Sequence, residues 1–140
     1  KMTKEEKVRA EIIKAAQKMF QRFGYKKTTI EDIASEAGKG KSSLYYYYKN
    51  KEEIFLAVIW DEWNVIIAEV REALKDKHTV EERLKTYVRV KIKGISNFAN
   101  VYRSLRSESL NKYSFIPDFR KEAKVIETQL IVELNFFIYD

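Results

Sequence analysis

The chain has 140 residues, a formal net charge of +6 and a hydrophobic content of 45%. This length and apolar content suffice for a folded core, which excludes wholesale disorder. The sequence contains no cysteine, so a disulfide framework and a thiolate metal site are both excluded. One proline and four glycines provide few turn signals. We therefore predict an all-α fold.

Positive charge is concentrated in the first third of the chain. Residues 1–51 carry 13 Lys/Arg and 6 Asp/Glu, whereas residues 52–140 carry 14 and 15. A basic segment joined to a near-neutral one suits a nucleic-acid-binding head on a separate body, although lysine-rich surface helices produce the same charge pattern. No apolar run approaches the roughly 18 residues of a membrane span, so we expect no membrane association and a cytoplasmic location.

The first predicted helix runs from about Lys4 to Phe23. Its expected buried face repeats at three- and four-residue steps and consists of Val8, Ile12, Ala15, Ala16, Met19, Phe20 and Phe23. Gly24 is expected to end this helix as a left-handed cap. The second helix is predicted to start at Thr28, with Glu31 completing a capping box, and to end at Gly38.

A third, short helix is predicted over residues 41–48. At about 100° per residue, Leu44, Tyr47 and Tyr48 share one face, which should pack against the first two helices. The opposite face carries the candidate binding side chains Lys41, Ser42, Ser43, Tyr45 and Tyr46. Because large exposed aromatic side chains with hydroxyl groups usually have a partner, this face is the candidate functional surface.

The rest of the chain is also predicted to be helical. Asn50 and Glu53 form the start of a long fourth helix that ends near Lys75. Later helices are predicted over residues 80–99 and 101–111, with a break near Asn100. Pro117 suits the first turn of a last helix.

The sequence offers little support for catalysis or for a metal. The only histidine, His78, lies in a polar stretch that is more typical of a solvated loop than of a catalytic base. Gly40, Lys41 and Ser42 match the end of a nucleotide-binding loop, but that motif requires glycine where this chain has Ser35. No combination of His and Asp/Glu has metal-ligand spacing. We therefore predict neither an enzyme nor a bound cofactor or metal.

Residues 28–58 closely resemble the DNA-binding segment of the TetR family of bacterial transcriptional regulators. The shared pattern is T-T-I-x-D-I-A, an A-G turn, L-Y-x-Y-aromatic and K-x-K-E-E-I-F-L-A-V, and K-A-A-x-x-M-F-x-x-F-G-Y extends it towards the N-terminus. The resemblance implies a three-helix helix-turn-helix domain over residues 1–50 and a helical effector-binding and dimerisation domain over residues 51–140. It further implies a homodimeric repressor that leaves a palindromic operator when a small-molecule effector binds.

The resemblance also assigns residues of this chain to contacts with double-stranded DNA. The residues expected nearest the base edges are Lys41, Ser42, Ser43 and Tyr46. Those expected at phosphates are Thr28, Thr29, Tyr45 and Lys51. Lys39 stands where the family usually has an apolar residue, so its side chain either reaches a phosphate or packs its stem in the turn.

The resemblance places an effector pocket in the aromatic-rich second part, where the candidate lining residues are Trp63, Tyr87, Phe98 and Tyr102. Family members usually pair through two further C-terminal helices, and this sequence ends at Asp140 in an apolar stretch without a stop signal. We therefore expect those helices to lie outside it. The alternative function is a helical protein-interaction module whose basic head binds an acidic partner.

Overall fold

The computed structural model describes residues 1–106 and 115–139, with side chains described for 1–96 and 117–132. Regular structure within these ranges consists of six helices: α1 Lys4–Phe23, α2 Ile30–Ala37, α3 Lys41–Tyr47, α4 Lys51–Leu74, α5 Val80–Arg106 and α6 Phe115–Tyr139. The predicted all-α fold is confirmed. None of the described helices combines the length and the apolar character needed to cross a membrane.

The chain divides into two compact units. The first includes Lys1–Asp61, and the second includes Glu62–Ala99 and helix α6. The boundaries fall inside α4 and inside α5, so the first part of α4 and residues 100–106 of α5 belong to the first unit.

Three aromatic rings lie at the centre of the first unit. Phe20 contacts Phe55 edge-on at 5.0 Å between ring centroids, and Tyr25 lies 4.9 Å from Phe55 and 5.7 Å from Phe20. Phe23, which the helical periodicity placed in the core, is instead 46% exposed. The chain turns at Gly24 directly after it, so Tyr25 from the following loop occupies the buried position.

The turns at the two ends of this loop differ from the predicted pattern. Gly24 has φ 85° and ψ 164°, so it is not the left-handed helical cap that was expected. Helix α2 is capped by Thr29 with Asp32, one residue later than the predicted pair of Thr28 and Glu31. Both pairs have the spacing of a capping box, so the sequence pattern could not separate them.

In the second unit, the later part of α4 contacts α5 through Ile66 and α6 through Trp63. Helix α5 continues through Asn100 to Arg106, so the predicted break there is wrong. Asparagine lowers helix propensity only modestly, and neither proline nor glycine follows it to end the helix. Pro117 lies in the first turn of α6, where its missing N–H would have no partner inside the helix, as predicted.

A close approach of α4 and α5 depends on Gly94. A Cβ atom at this position would lie 2.7 Å from Cγ1 and 3.0 Å from Cγ2 of Ile66. The two helices therefore pack at a distance that only a residue without a side chain permits.

Candidate nucleic-acid interface

Helix α3 presents one buried face and one exposed face, as its sequence predicts. Leu44 is fully buried and Tyr48 is almost fully buried, and both anchor the helix in the first unit. On the outer face, Tyr45 is 47% exposed and Tyr46 is 75% exposed. The neighbouring side chains of Lys41, Ser42 and Ser43 are also exposed. Burial of one face thus fixes the direction in which the hydroxyl and ammonium groups point.

The turn before α3 depends on a glycine. Gly38 has φ 68° and ψ 33°, which is the left-handed helical conformation that glycine adopts without strain. The amide of the next residue, Lys39, donates a 2.9 Å hydrogen bond to the carbonyl of Ala34. This turn directs the chain from α2 into α3.

Lys39 points back towards α1. Its Nζ lies 2.8 Å from Oε2 of Glu11, and only 20% of the lysine side chain is exposed. The hydrogen bond from Lys39 lowers the pKa of the Glu11 carboxyl group. Of the two alternatives for Lys39, the structure favours the packed stem, with the charge neutralised by Glu11.

Lys41, the first residue of α3, forms an ion pair with Glu31 in the first turn of α2. Its Nζ lies 2.5 Å from Oε1 of Glu31 and 5.8 Å from the ring centre of Tyr45. The hydrogen bond to Glu31 raises the pKa of Lys41, and the same contact lowers the pKa of Glu31. A carboxylate therefore lies among the candidate DNA-binding side chains, a feature that the sequence analysis missed.

The end of α3 is covered by an arginine from α1. Cζ of Arg9 lies 5.3 Å from the ring centre of Tyr47 and 5.4 Å from that of Tyr48. Burial raises the pKa of Tyr48, and the neighbouring guanidinium group partly opposes this rise. Cation–π contacts of this kind hold α3 against α1. No sequence pattern identified Arg9, because the contact joins positions 38 residues apart.

Lys51, which the resemblance assigned to a phosphate, also contacts the protein itself. Its Nζ donates a 2.8 Å hydrogen bond to the carbonyl oxygen of Tyr25 and lies 4.3 Å from the centre of the Tyr25 ring. The side chain is half-buried. Lys51 thereby joins the first residue of α4 to the loop between α1 and α2.

The two threonines before α2 have different environments. Thr28 is completely buried, and its hydroxyl group donates hydrogen bonds to the carbonyls of Gly24 at 2.7 Å and Met19 at 3.2 Å. The expected phosphate contact of the Thr28 side chain is thus at odds with its burial. Thr29 is exposed, and its Oγ1 accepts a 3.1 Å hydrogen bond from the amide of Asp32. Of this pair, Thr29 is the residue on the surface.

The candidate effector residues are only partly described. Trp63 is buried edge-on to Phe119, with ring centroids 6.4 Å apart, and its Nε1 has no hydrogen-bond partner among the described residues. The hydroxyl group of Tyr87 donates a 2.7 Å hydrogen bond to Oε1 of Glu127. The side chains of the other two candidates, Phe98 and Tyr102, lie outside the described residues.

The described part of the chain contains no group of three His, Cys, Asp or Glu side chains that could hold a metal ion. His78 is exposed in the connection between α4 and α5. Its amide and that of Thr79 approach the Glu82 carboxylate at 3.4 Å each, and these backbone contacts lower the pKa of Glu82. These residues cap the start of α5.

Comparison with known proteins relates the chain to bacterial regulators. Residues 12–58 match the model of the bacterial regulatory proteins of the tetR family. A fatty acid metabolism regulator protein of Bacillus subtilis is 32% identical over 74 residues, which cover 53% of this chain and 38% of that protein. The chain thus spans well under half the length of this relative.

Solved structures extend the similarity beyond the matched segment. A transcriptional regulator from Cytophaga hutchinsonii has a TM-score of 0.77 and 34% identity, covering 90% of this chain and 64% of that one. The fatty acid degradation regulator FadR from Bacillus halodurans has a TM-score of 0.74 and 21% identity, covering 97% and 68% respectively. At that identity, the second comparison establishes similarity of fold alone.

Proposed function

Because the chain belongs to the TetR family of bacterial regulatory proteins, we propose that it is a sequence-specific, DNA-binding transcriptional regulator. The observation that carries this proposal is the outer face of α3. Tyr45 and Tyr46 are exposed there beside Lys41, Ser42 and Ser43, while Leu44 anchors the opposite face in the core. A rigid helix that presents hydroxyl and ammonium groups suits the major groove of DNA.

The proposed contacts on DNA fall into two groups. Side chains at the start and middle of α3 contact base edges, namely Lys41, Ser42, Ser43 and Tyr46. Phosphates are held by Tyr45, by Thr29 at the start of α2, and by the half-buried Lys51 at the start of α4. No DNA contact is proposed for Lys39, because it is paired with Glu11, or for Thr28, because it is buried.

The proposed regulator acts as a homodimer on a palindromic operator. One short recognition helix reads only a few base pairs, so two heads related by a two-fold axis are needed to specify a site. Residues 1–50 form the DNA-binding domain in this proposal, and the remainder belongs to the effector-binding and dimerisation domain. In this proposal the protein binds DNA in the cytoplasm and is not an enzyme.

The proposed mode of action is repression that a small-molecule effector relieves. The indole N–H of Trp63, which has no partner within the described part of the chain, supports an effector site in the second unit, since a buried donor without an acceptor is costly. A ligand that supplies an acceptor atom would satisfy this donor. Titration of wild type and Trp63→Phe with candidate effectors tests this point, because the variant retains an aromatic ring but loses the N–H.

Selection of duplexes from a randomised library tests the DNA-binding proposal. The protein should enrich a palindromic sequence that binds more tightly than a scrambled duplex at near-physiological salt. The affinity for both duplexes should fall steeply with salt, because neutralised phosphates release counterions. Equal, salt-labile binding to all duplexes would contradict sequence-specific recognition. The absence of DNA binding would instead favour a protein-interaction module with an acidic partner.

A further inference from the structure

The ion pair between Glu31 and Lys41 is an unusual feature for a surface that meets a polyanion. The carboxylate of Glu31 and the ammonium group of Lys41 are both largely exposed, at 59% and 51% of their side-chain areas. Glu31 lies in the first turn of α2 and Lys41 is the first residue of α3, and Nζ of Lys41 also lies near the ring of Tyr45. A negative charge thus lies beside Lys41 on the surface that the proposed function assigns to DNA.

From this placement we infer that Glu31 is a specificity-determining residue, which holds Lys41 away from phosphates and thereby suppresses binding to non-operator DNA. The inference rests on the proposed function and deepens it. Glu31 acts on DNA through Lys41 and through its own repulsion of phosphates, and no base contact of Glu31 is invoked.

DNA binding requires Lys41 to exchange its contact with Glu31 for a contact with the duplex. On a non-operator duplex, Lys41 can leave Glu31 only for a phosphate, and the freed carboxylate then faces the negatively charged backbone. This exchange replaces one ion pair with another and adds a repulsion. An operator that offers guanine O6 and N7 within reach of Lys41 supplies a base-edge contact in addition. Only the correct sequence therefore compensates for the loss of the Glu31 contact.

The chain offers a closely matched control on the same helix. Glu36 of α2 pairs with Lys18 of α1 at the same distance, 2.5 Å, and the Lys18 ammonium group is also exposed. Glu31→Gln and Glu36→Gln change the net charge of the protein by the same amount. They differ in the helix that carries the released lysine, because Lys41 begins α3 whereas Lys18 lies on α1.

The experiment measures the affinities of wild type, Glu31→Gln and Glu36→Gln for the selected palindrome and for a scrambled duplex over a salt series. Glu31→Gln should strengthen binding to the scrambled duplex by about fivefold and strengthen operator binding less, so that the specificity ratio falls. The slope of log affinity against log salt on scrambled DNA should steepen by about 0.9 for each bound head. Glu36→Gln should leave the specificity ratio and the slope close to those of wild type.

A double-mutant comparison separates the role of the pair from that of bulk charge. In a Lys41→Gln background, the effect of Glu31→Gln on the specificity ratio should fall to less than half. An unchanged effect in that background, or equal effects of Glu31→Gln and Glu36→Gln, would overturn the inference while leaving the proposed function intact. Failure of wild type to prefer any duplex would overturn both. Thermal melts of each variant verify that the affinities are those of folded protein.

Discussion

The ammonium group of Lys51 lies 4.3 Å above the ring of Tyr25 and donates a 2.8 Å hydrogen bond to the carbonyl oxygen of the same residue. Through this contact the first residue of α4 is attached to the loop that joins α1 to α2. Tyr25 in turn packs on Phe20 and Phe55 in the core. The first turn of α4 is thus held against this loop by Lys51 in addition to the buried ring of Phe55.

Replacement of Lys51 by methionine should lower the free energy of unfolding by about 1–2 kcal/mol, because a charge-assisted hydrogen bond is lost in a partly buried site. Urea denaturation followed by circular dichroism measures this effect. Lys49→Met is the control, since Lys49 is exposed at a neighbouring position. Equal stabilities of the two variants would contradict the assigned role of Lys51.

Replacement of Thr28 by valine should lower the unfolding free energy by about 1–2 kcal/mol, because the carbonyls of Met19 and Gly24 lose their hydroxyl donor. Thr29→Val should cost about 1 kcal/mol through loss of the helix cap. The two variants should differ in DNA affinity when both are folded. Only Thr29→Val should weaken binding, whereas weaker binding by Thr28→Val would show that Thr28 reaches the DNA.

Replacement of Tyr46 by alanine should weaken binding to the preferred duplex by about 1–3 kcal/mol and change the sequences that are enriched from a randomised library. Its neighbour Tyr45 provides the comparison, because both side chains are exposed on the same helix. Tyr45→Ala should weaken binding to all duplexes by similar factors. If both variants enrich the wild-type sequence, Tyr46 does not read bases.

Replacement of Gly94 by alanine should lower the unfolding free energy by about 1–3 kcal/mol, because the added Cβ would overlap with Ile66. Ser96→Ala is the control on the exposed side of the same helix. The double variant Gly94→Ala, Ile66→Ala should be more stable than the sum of its single effects predicts, since truncation of Ile66 makes room for the new methyl group. Additive effects would show that the two residues do not limit helix packing.

The stability contribution of Glu82 should depend on pH. Its pKa is lowered from the ordinary 4.5 in the folded protein by the amides of Thr79 and His78. A carboxylate with a depressed folded pKa stabilises the protein fully above its unfolded pKa, and this contribution disappears as the pH falls through the folded value. Glu82→Gln should therefore be destabilising at pH 7 and nearly neutral near pH 2. Urea denaturation of wild type and Glu82→Gln at the two pH values measures this difference.

The local sequence was sufficient for the helical character of the chain and for the two faces of α3, but not for the continuity of α5 through Asn100. Spacing at 3.6 residues per turn places Leu44 inward and Tyr46 outward once α3 is assumed to be helical. Gly38 ends α2 as predicted, and it does so in the left-handed conformation, because the need for positive φ is a property of the turn itself. The family pattern over residues 28–58 is likewise local, and the match over residues 12–58 agrees with it.

Tertiary structure decided which of several locally equivalent residues perform each role. Thr28 and Thr29 have the same capping pattern, and only packing against α1 buries the first and leaves the second exposed. The pairing of Lys39 with Glu11 and of Lys41 with Glu31 depends on the angle between helices. The sequence alone determines which residues share a helix face, because that depends only on the spacing of near neighbours in the chain. The partner of a long charged side chain depends instead on where distant segments meet in space.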